Sequence, residues 1–435
     1  MKINLITLGC SKNTVDSEDL AGLLSAAGHK VVFDQPLGRH DAVIINTCGF
    51  IGDAKEESID TVLQAIQWKG RSSKRQVVVC GCMVERYREE LKQEMPEVDA
   101  WYGVHEWEML ANRFQSGKNN LSALEPRPLS TPAHYAYLKI AEGCNRSCSY
   151  CAIPLIRGAH ISRPMDDIVS EAQCLVHQGV KELIVISQDT TYYGLDLYHK
   201  RMLGPLLERL ANESGAEWIR LHYTYPTSFP EDAIDAIARH KNICNYIDIP
   251  LQHINTRLLG SMQRGIDREG TLRLLEQFRT KLPDASIRTT LIVGYPGESE
   301  QEFEELKEFV REARFDRMGC FAYSPEEGTP AERLGDPVPE EEKERRVSEL
   351  MELQAAISLE KNQAKMGRVY RCIVDRLEGD YLVCRTEQDS PEVDDEVLVN
   401  MATEGANKAA KYIGNFLNVR ITQATEHDLM GELVP

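Results

Sequence analysis

Between Tyr135 and Ser324 six short apolar runs, YAYLKIAE, ELIVISQD, WIRLHYTYP, YIDIPLQH, SIRTTLIVGYP and RMGCFAYS, alternate with helical stretches such as PMDDIVSEAQCLVHQG and ESEQEFEELKEFVREARF. Runs so rich in Val, Ile and Leu suit strands buried on both faces, and helices between them point to parallel pairing through crossovers. Six strand–helix units over about 200 residues predict an open (β/α)6 barrel, shorter than the closed eightfold one, with its site at the carboxyl ends of the strands.

The same alternation opens the chain. KINLITLGC, KVVFD, DAVIINTCGF, RQVVVCGC and DAWYGV are separated by amphipathic segments up to about residue 117, which predicts an α/β unit with a doubly wound parallel sheet. Ligands of such sheets sit beyond the carboxyl ends of the strands, where Cys10, Cys48 and Cys82 each fall. The Pro-rich, polar stretch GKNNLSALEPRPLSTPAH marks an interdomain linker. A charged helix over about 340–365 then leads to short β-rich runs, VYRCIVDRLEGDYLVCRTEQD, DDEVLVN and NFLNVRITQAT, that fit a small five-stranded all-β barrel. The expected division is 1–117, a linker at 118–134, 135–366 and 367–435.

No apolar run is long enough to span a bilayer, and the N-terminus, MKINLITLGCSKN, reads as a first strand and not as a signal peptide, so a cytoplasmic location is expected. The net charge of -18 repels phosphate backbones at long range and attracts basic proteins. Gly367 to Pro435 carries 7 Lys/Arg against 13 Asp/Glu, a balance that disfavours RNA as its partner. In a reducing compartment, 12 cysteines point to thiolate ligation or catalysis and not to a disulfide framework.

The decisive stretch is AEGCNRSCSYCAIP, directly after the first barrel strand. Cys144, Cys148 and Cys151 can present three sulfurs to three irons of a cubane and leave the fourth iron open. A structural zinc loop would want a fourth Cys or His close by, and the next His, His160, lies beyond Pro154 and Gly158. Taken singly, Cys10, Cys48 and Cys82 are more often buried thiols, yet the convergence of three strand ends makes a second three-ligand site plausible. Cys80, Cys174, Cys244, Cys320, Cys372 and Cys384 read as ordinary thiols of helices and strands.

The Cys-x3-Cys-x2-Cys run with Tyr150 before its last cysteine resembles the cluster loop of radical S-adenosylmethionine (SAM) enzymes. The resemblance implies a 4Fe-4S cluster whose open iron is chelated by SAM, with reductive cleavage giving a 5'-deoxyadenosyl radical. TTLIVGYPGESEQEF resembles the glycine motif that packs on the adenine, which implicates Gly294 and Gly297. Tyr150, Ser187 and Gln188 are candidate SAM contacts, and Arg264 or Arg288 could hold the SAM carboxylate.

With its spaced N-terminal cysteines and its last barrel, TRAM-like and OB-like, the whole chain resembles the methylthiotransferase family. That implies a second 4Fe-4S cluster on Cys10, Cys48 and Cys82, two roles for SAM and an external electron donor. CSYCAIPLIRG, SQDTTYYGLDLY and AYSPEEGTPAERLG resemble the branch that modifies the β-carbon of an aspartate in small-ribosomal-subunit protein 12, a basic protein. The alternatives are a methylthiotransferase acting on tRNA adenosine and, from another class, a two-cluster electron-transfer or cluster-delivery protein.

Overall fold

The computed structural model describes residues 1–115, 127–402 and 409–434. Its first unit is a parallel sheet of β1 (Lys2–Thr7), β2 (Lys30–Phe33), β3 (Ala42–Thr47), β4 (Gln76–Gly81) and β5 (Ala100–Tyr102), in the order β2-β1-β3-β4-β5. Helices α1 (Ser11–Ala26) and α4 (Trp107–Arg113) cover one face, where Leu20, Leu24 and Phe114 pack on Ile44 and Val78. On the other face α2 (Gly52–Lys69) and α3 (Cys82–Glu94) set Val62, Val84 and Leu91 against Val43 and Val77. Alternate residues of one strand therefore feed opposite cores, which is why AVIINT is buried along its whole length. A Leu24→Ala change at this core costs about 2–5 kcal/mol. The winding reverses between β1 and β3, and the crevice at their carboxyl ends is where such a fold takes a ligand.

The second unit holds β6 (Tyr135–Lys139), β9 (Glu182–Ile186), β10 (Trp218–Leu221), β11 (Tyr246–Asp248), β12 (Ser286–Val293) and β13 (Arg317–Ala322), one for each predicted run. All are parallel to their neighbours, but hydrogen bonding divides them into two arcs, β6-β9-β10 and β11-β12-β13. The arcs meet through Asn242 to Cys244, which pair with Ile219 just ahead of β11. A small antiparallel pair, β7 (Ala141–Glu142) and β8 (Ile161–Ser162), clasps the two ends of the cysteine loop and its helix α5 (Ile153–Arg157).

The third unit is a closed barrel of β14 (Val369–Glu378), β15 (Tyr381–Thr386), β16 (Glu396–Asn400), β17 (Phe416–Ala424) and β18 (Asp428–Leu433). Cys372, Val374, Leu382, Cys384 and Val419 fill it. Helix Glu340–Gln363 joins it to the central barrel.

This barrel docks on the amino ends of the central strands, opposite the cysteine loop. Glu182, at the start of β9, pairs with Arg220 (2.7 Å) and with Arg385 of the small barrel (2.7 Å), all essentially without solvent contact. Arg317 meets Asp389 (2.5 Å) and Asp395 (3.1 Å), while Asp394 takes Arg288 (3.2 Å) and the Tyr246 hydroxyl (2.7 Å). Such pairs set specificity of docking more than net stability, because desolvating the ions offsets much of their attraction. They also alter the charge argument: several acids counted in the third unit are neutralised inside the molecule.

Residues 118–126 of the expected linker lie outside the described residues. From Arg127 onward the segment is tied down: Arg127 pairs with Glu18 of α1 (3.1 Å) and with Glu171 (2.5 Å), and His134 meets Asp375 (2.7 Å).

Candidate functional site

The cysteine loop follows β7 and turns tightly, with the Cys151 amide donating to the Cys148 carbonyl (3.1 Å). Ser149 anchors it, its hydroxyl reaching the Ser261 carbonyl (2.8 Å) and the Tyr295 hydroxyl (2.9 Å). Cys144, Cys148 and Cys151 line one cavity of about 460 Å³, walled further by Pro154, Leu155 and Thr329. Cys148 Sγ is 3.4 Å from both the Tyr225 hydroxyl and Arg264 Nη1, and Arg264 also donates to the Tyr150 hydroxyl (3.1 Å). Burial pushes Cys144 up to about 11 and Cys151 up to about 12, so a cation must be supplied before these thiols give up their protons.

The N-terminal cysteines also converge. Cys10 is the N-cap of α1 and Cys82 the first residue of α3, so both sulfurs sit at helix N-termini, which favour thiolate. The glycines beside them make the approach possible. A Cβ on Gly9 (φ +91°) would lie 2.8 Å from Cys48 Cβ, and one on Gly49 would lie 2.7 Å from the Met83 backbone. Gly81 (φ +97°) has Asn46 Oδ1 and the Thr47 carbonyl where its Cβ would stand. A glycine next to each cysteine is the signal in the sequence that three loops must touch, and sequence reasoning passed over it. Burial raises Cys82 to about 12; at Cys10 burial is outweighed by the charges of Lys12 and Arg157, and the thiol lies below its usual range.

Arg157 connects the two groups. From the end of α5 it reaches Cys82 Sγ (3.3 Å), the Asn13 side chain, Asp16 (2.6 Å) and Glu142 (3.3 Å), the last beside the loop of the first triad. Lys139 completes the network through Asp16 and Glu142. A buried guanidinium this far from any charged run gives no periodic or spacing signal in the sequence.

The remaining candidates fall in two classes. Ser187 and Gln188 lie at the carboxyl end of β9 with Ser187 Oγ and Gln188 Oε1 buried and unpartnered, and Gln188 Nε2 donates to Glu142 (2.7 Å). Gly294 and Gly297 follow β12 at positive φ. Gly294 is needed there by Lys343, whose Cγ would be 2.4 Å from a Cβ, and Gly297 is at the surface, where its carbonyl accepts from Arg257 (2.7 Å). Arg288 is taken by Asp248 (3.1 Å) and Asp394 (3.2 Å), which leaves Arg264 as the arginine open to a carboxylate. Of the other cysteines, Cys80, Cys244, Cys320, Cys372 and Cys384 are buried, whereas Cys174 is exposed on its helix.

Among the described residues no three His, Cys, Asp or Glu side chains could hold a single metal ion. A cubane asks for something different, three thiolates that each reach a separate corner.

Three family models tile the chain: "Uncharacterized protein family UPF0004" matches residues 2–103, the radical SAM superfamily 138–310 and the TRAM domain 366–434. The chain is 53% identical over 431 residues to "Ribosomal protein uS12 methylthiotransferase RimO" of Flavobacterium psychrophilum, covering 99% of this chain and 98% of that one. It belongs to the radical SAM methylthiotransferase family. The protein of the same name from Bacteroides thetaiotaomicron is 50% identical over 434 residues, covering 100% and 98%. Among solved structures, the radical SAM methyltransferase TsrM from Kitasatospora setae superposes with a TM-score of 0.54 at 14% identity, covering 94% of this chain and 84% of that one. That likeness bears on the fold alone.

Membership makes the chain a transferase of the radical SAM class, and the class uses a 4Fe-4S cluster and SAM. The first triad fits that pair: three thiolates face one cavity, and unpartnered buried atoms of Ser187, Gln188, Gln252 and Arg264 surround the strand ends. Buried polar atoms are rarely left without partners, and a polar cofactor is the natural source of them. No helix among the described residues is long and apolar enough to cross a membrane.

Proposed function

We infer that this methylthiotransferase places a methylthio group on the β-carbon of an aspartate in ribosomal protein uS12, working in the cytoplasm with an external electron donor. The observation that carries the reading is the 53% identity, over nearly the full length of both chains, to a protein named for that activity. Cys144, Cys148 and Cys151 hold the radical cluster, and Cys10, Cys48 and Cys82 hold a second 4Fe-4S cluster. When bound, these groups and SAM supply a carbon-centred radical that takes a hydrogen atom from an unactivated C–H bond, together with the sulfur and methyl group to be transferred.

The chain's own residues do the positioning. Arg264, held by Tyr150 and by the Pro250 carbonyl, receives the SAM carboxylate beside Cys148. Ser187 and Gln188, with their unpartnered buried oxygens, would meet polar atoms of the cofactor, and the turn that Gly294 and Gly297 make would take its adenine. Arg157, bonded to Cys82 and to Glu142, fixes the two triads relative to one another. Tyr225 and Tyr295 brace the cysteine loop, the first against Cys148 and the second against Ser149. The units over 1–117, 135–366 and 367–435 correspond to auxiliary-cluster, radical and TRAM domains, with 118–134 between them; the last serves as the substrate-binding barrel. The enzyme recognises a basic protein and not nucleic acid.

The test is anaerobic. Iron- and sulfide-reconstituted protein with reductant and SAM is offered uS12 or a tRNA anticodon stem-loop, and both are weighed by mass spectrometry. A methylthio increment mapped to an aspartate of uS12 is expected; an increment on the RNA alone overturns the substrate.

A further inference from the structure

Every other buried Lys or Arg among the described residues has a carboxylate partner, as Arg157 has Asp16, Arg220 has Glu182 and Lys343 has Asp336. Lys12 and Arg264 have none. Both stand at the mouth of the central barrel, where α1 begins and where the cysteine loop lies. Arg264 is on the radical-cluster side, against Cys148. Lys12 is on the other, two residues after Cys10.

Lys12 is 8% exposed, yet its ammonium donates to no carboxylate, carbonyl or amide oxygen among the described residues. Its Nζ lies 3.2 Å from the centre of the Tyr223 ring. That ring is set in place deliberately: Tyr223 follows β10 with φ +55°, unusual for an aromatic residue, and its amide is held by Asp248 (2.9 Å) and its carbonyl by the Thr190 amide (3.0 Å). The Tyr223 hydroxyl is 3.3 Å from Ser11 Oγ, so the ring is pinned at both ends beneath the lysine. A face-on ring steadies a cation but satisfies none of the three N–H bonds of an ammonium. Tyr223 is two residues from Tyr225, which touches Cys148. The free ammonium thus lies between the chain segments that carry the two triads.

We propose that Lys12 is the specificity-determining residue that binds the carboxylate of the substrate aspartate; this rests on the uS12 reading above. A lysine whose side chain is largely buried and whose ammonium has no carboxylate partner is matched by a ligand that brings the negative charge, and the ligand itself displaces the remaining water and strengthens the pair. An aspartate held there by its carboxylate presents its β-carbon one bond from that group, between the segments that carry the two triads. A neutral side chain of the same shape covers the ammonium without pairing it, which is how such sites reject isosteres. The Tyr223 ring steadies the lysine while the site waits for substrate.

The test uses reconstituted holoenzyme and labelled uS12 loop peptides carrying either the target Asp or Asn, with dissociation constants from fluorescence anisotropy and methylthiolation from mass spectrometry. Wild type is expected to bind the Asp peptide at least about tenfold more tightly, and Lys12→Met to bring the two within about twofold, with a loss in kcat/KM on uS12 of roughly a hundredfold. Lys12→Arg keeps the preference. Lys12→Gln carries the same expectation as Lys12→Met and replaces it if that variant fails to load iron. A wild type that binds both peptides alike, or a Lys12→Met or Lys12→Gln variant that keeps the preference, overturns the proposal. A wild type that modifies tRNA and neither peptide nor intact uS12 instead sinks the substrate reading.

Discussion

Arg86 Nη1 stands 2.7 Å from the Glu326 carboxylate and 3.1 Å from the carbonyl of Gly49, the residue after Cys48. Lys55 adds a second ion pair to Glu326 (3.1 Å), and Arg86 Nη2 reaches the Glu327 carbonyl (2.9 Å). Through PEEGT, a loop of the central barrel whose Thr329 lines the cysteine cavity, the N-terminal domain is fastened at a fixed distance from the radical site. Arg86→Ala leaves a buried carboxylate with half its compensation. A shift of about 1 Å between reacting groups can cost roughly a hundredfold in rate. The expected outcome is cofactor cleavage that runs on while methylthiolated product falls at least about tenfold, read as the ratio of 5'-deoxyadenosine to product in one anaerobic assay.

The two triads are expected to be separable by mutation. Cys148→Ala is expected to abolish SAM cleavage, whereas Cys48→Ala keeps cleavage and stops methylthiolation, each protein binding about half the iron of wild type. Iron analysis with product quantification checks both. Methylthiolation by Cys48→Ala would remove that cysteine from the auxiliary site.

Gly81→Ala tests whether the convergence of the N-terminal loops depends on a bare backbone. The new Cβ would fall 2.3 Å from Asn46 Oδ1 and 2.7 Å from the Thr47 carbonyl, at a φ of +97° that L side chains avoid. A loss of about 2–4 kcal/mol in unfolding free energy is expected, with iron lost from the auxiliary site first. Denaturant midpoints and iron content report it.

His222 lies between the central and C-terminal barrels, its Nε2 2.9 Å from Ser390 Oγ. Burial depresses it from 6.5 to about 4, with Asp248 and Glu182 pulling it up and Arg220 and Arg288 down. A folded value below the unfolded one means stability is lost as pH falls from about 6.5 to about 4, by about 3 kcal/mol in all. Burial raises Asp395 from 3.8 to about 6, so its contribution is gained as pH falls over nearly the same window. The two conceal each other in the wild-type curve. The difference between wild type and His222→Gln isolates the histidine: wild type should weaken relative to the variant from pH 6.5 to 4, and a flat difference refutes the assignment.

The architecture was legible because apolar runs and helical periods dominate it: each of the six barrel runs became a strand, and the last five strands closed. What was not legible was long-range. Nothing local in LHYTYP or LGCSKN says that Lys12 lies over Tyr223, and the charge of the third domain misleads when counted by residue, since Asp389, Asp394 and Asp395 face barrel arginines and not solvent. The cysteines of the first triad are close in sequence and could be read as a unit. Those of the second are joined only by the topology of the sheet.

The third barrel's acids are also the counter-ions of the second barrel's floor. A premature stop codon that removed only that last domain would leave Arg317 without Asp389 and Asp395, Arg288 with Asp248 alone and Glu182 with one of its two arginines, on a floor newly opened to water. The truncated product would keep both cysteine triads but would present that floor, including Trp218 and Tyr246, which pack on Ile373 and Phe416, to solvent. The domain farthest from the chemistry is therefore also the cover of the barrel that carries it.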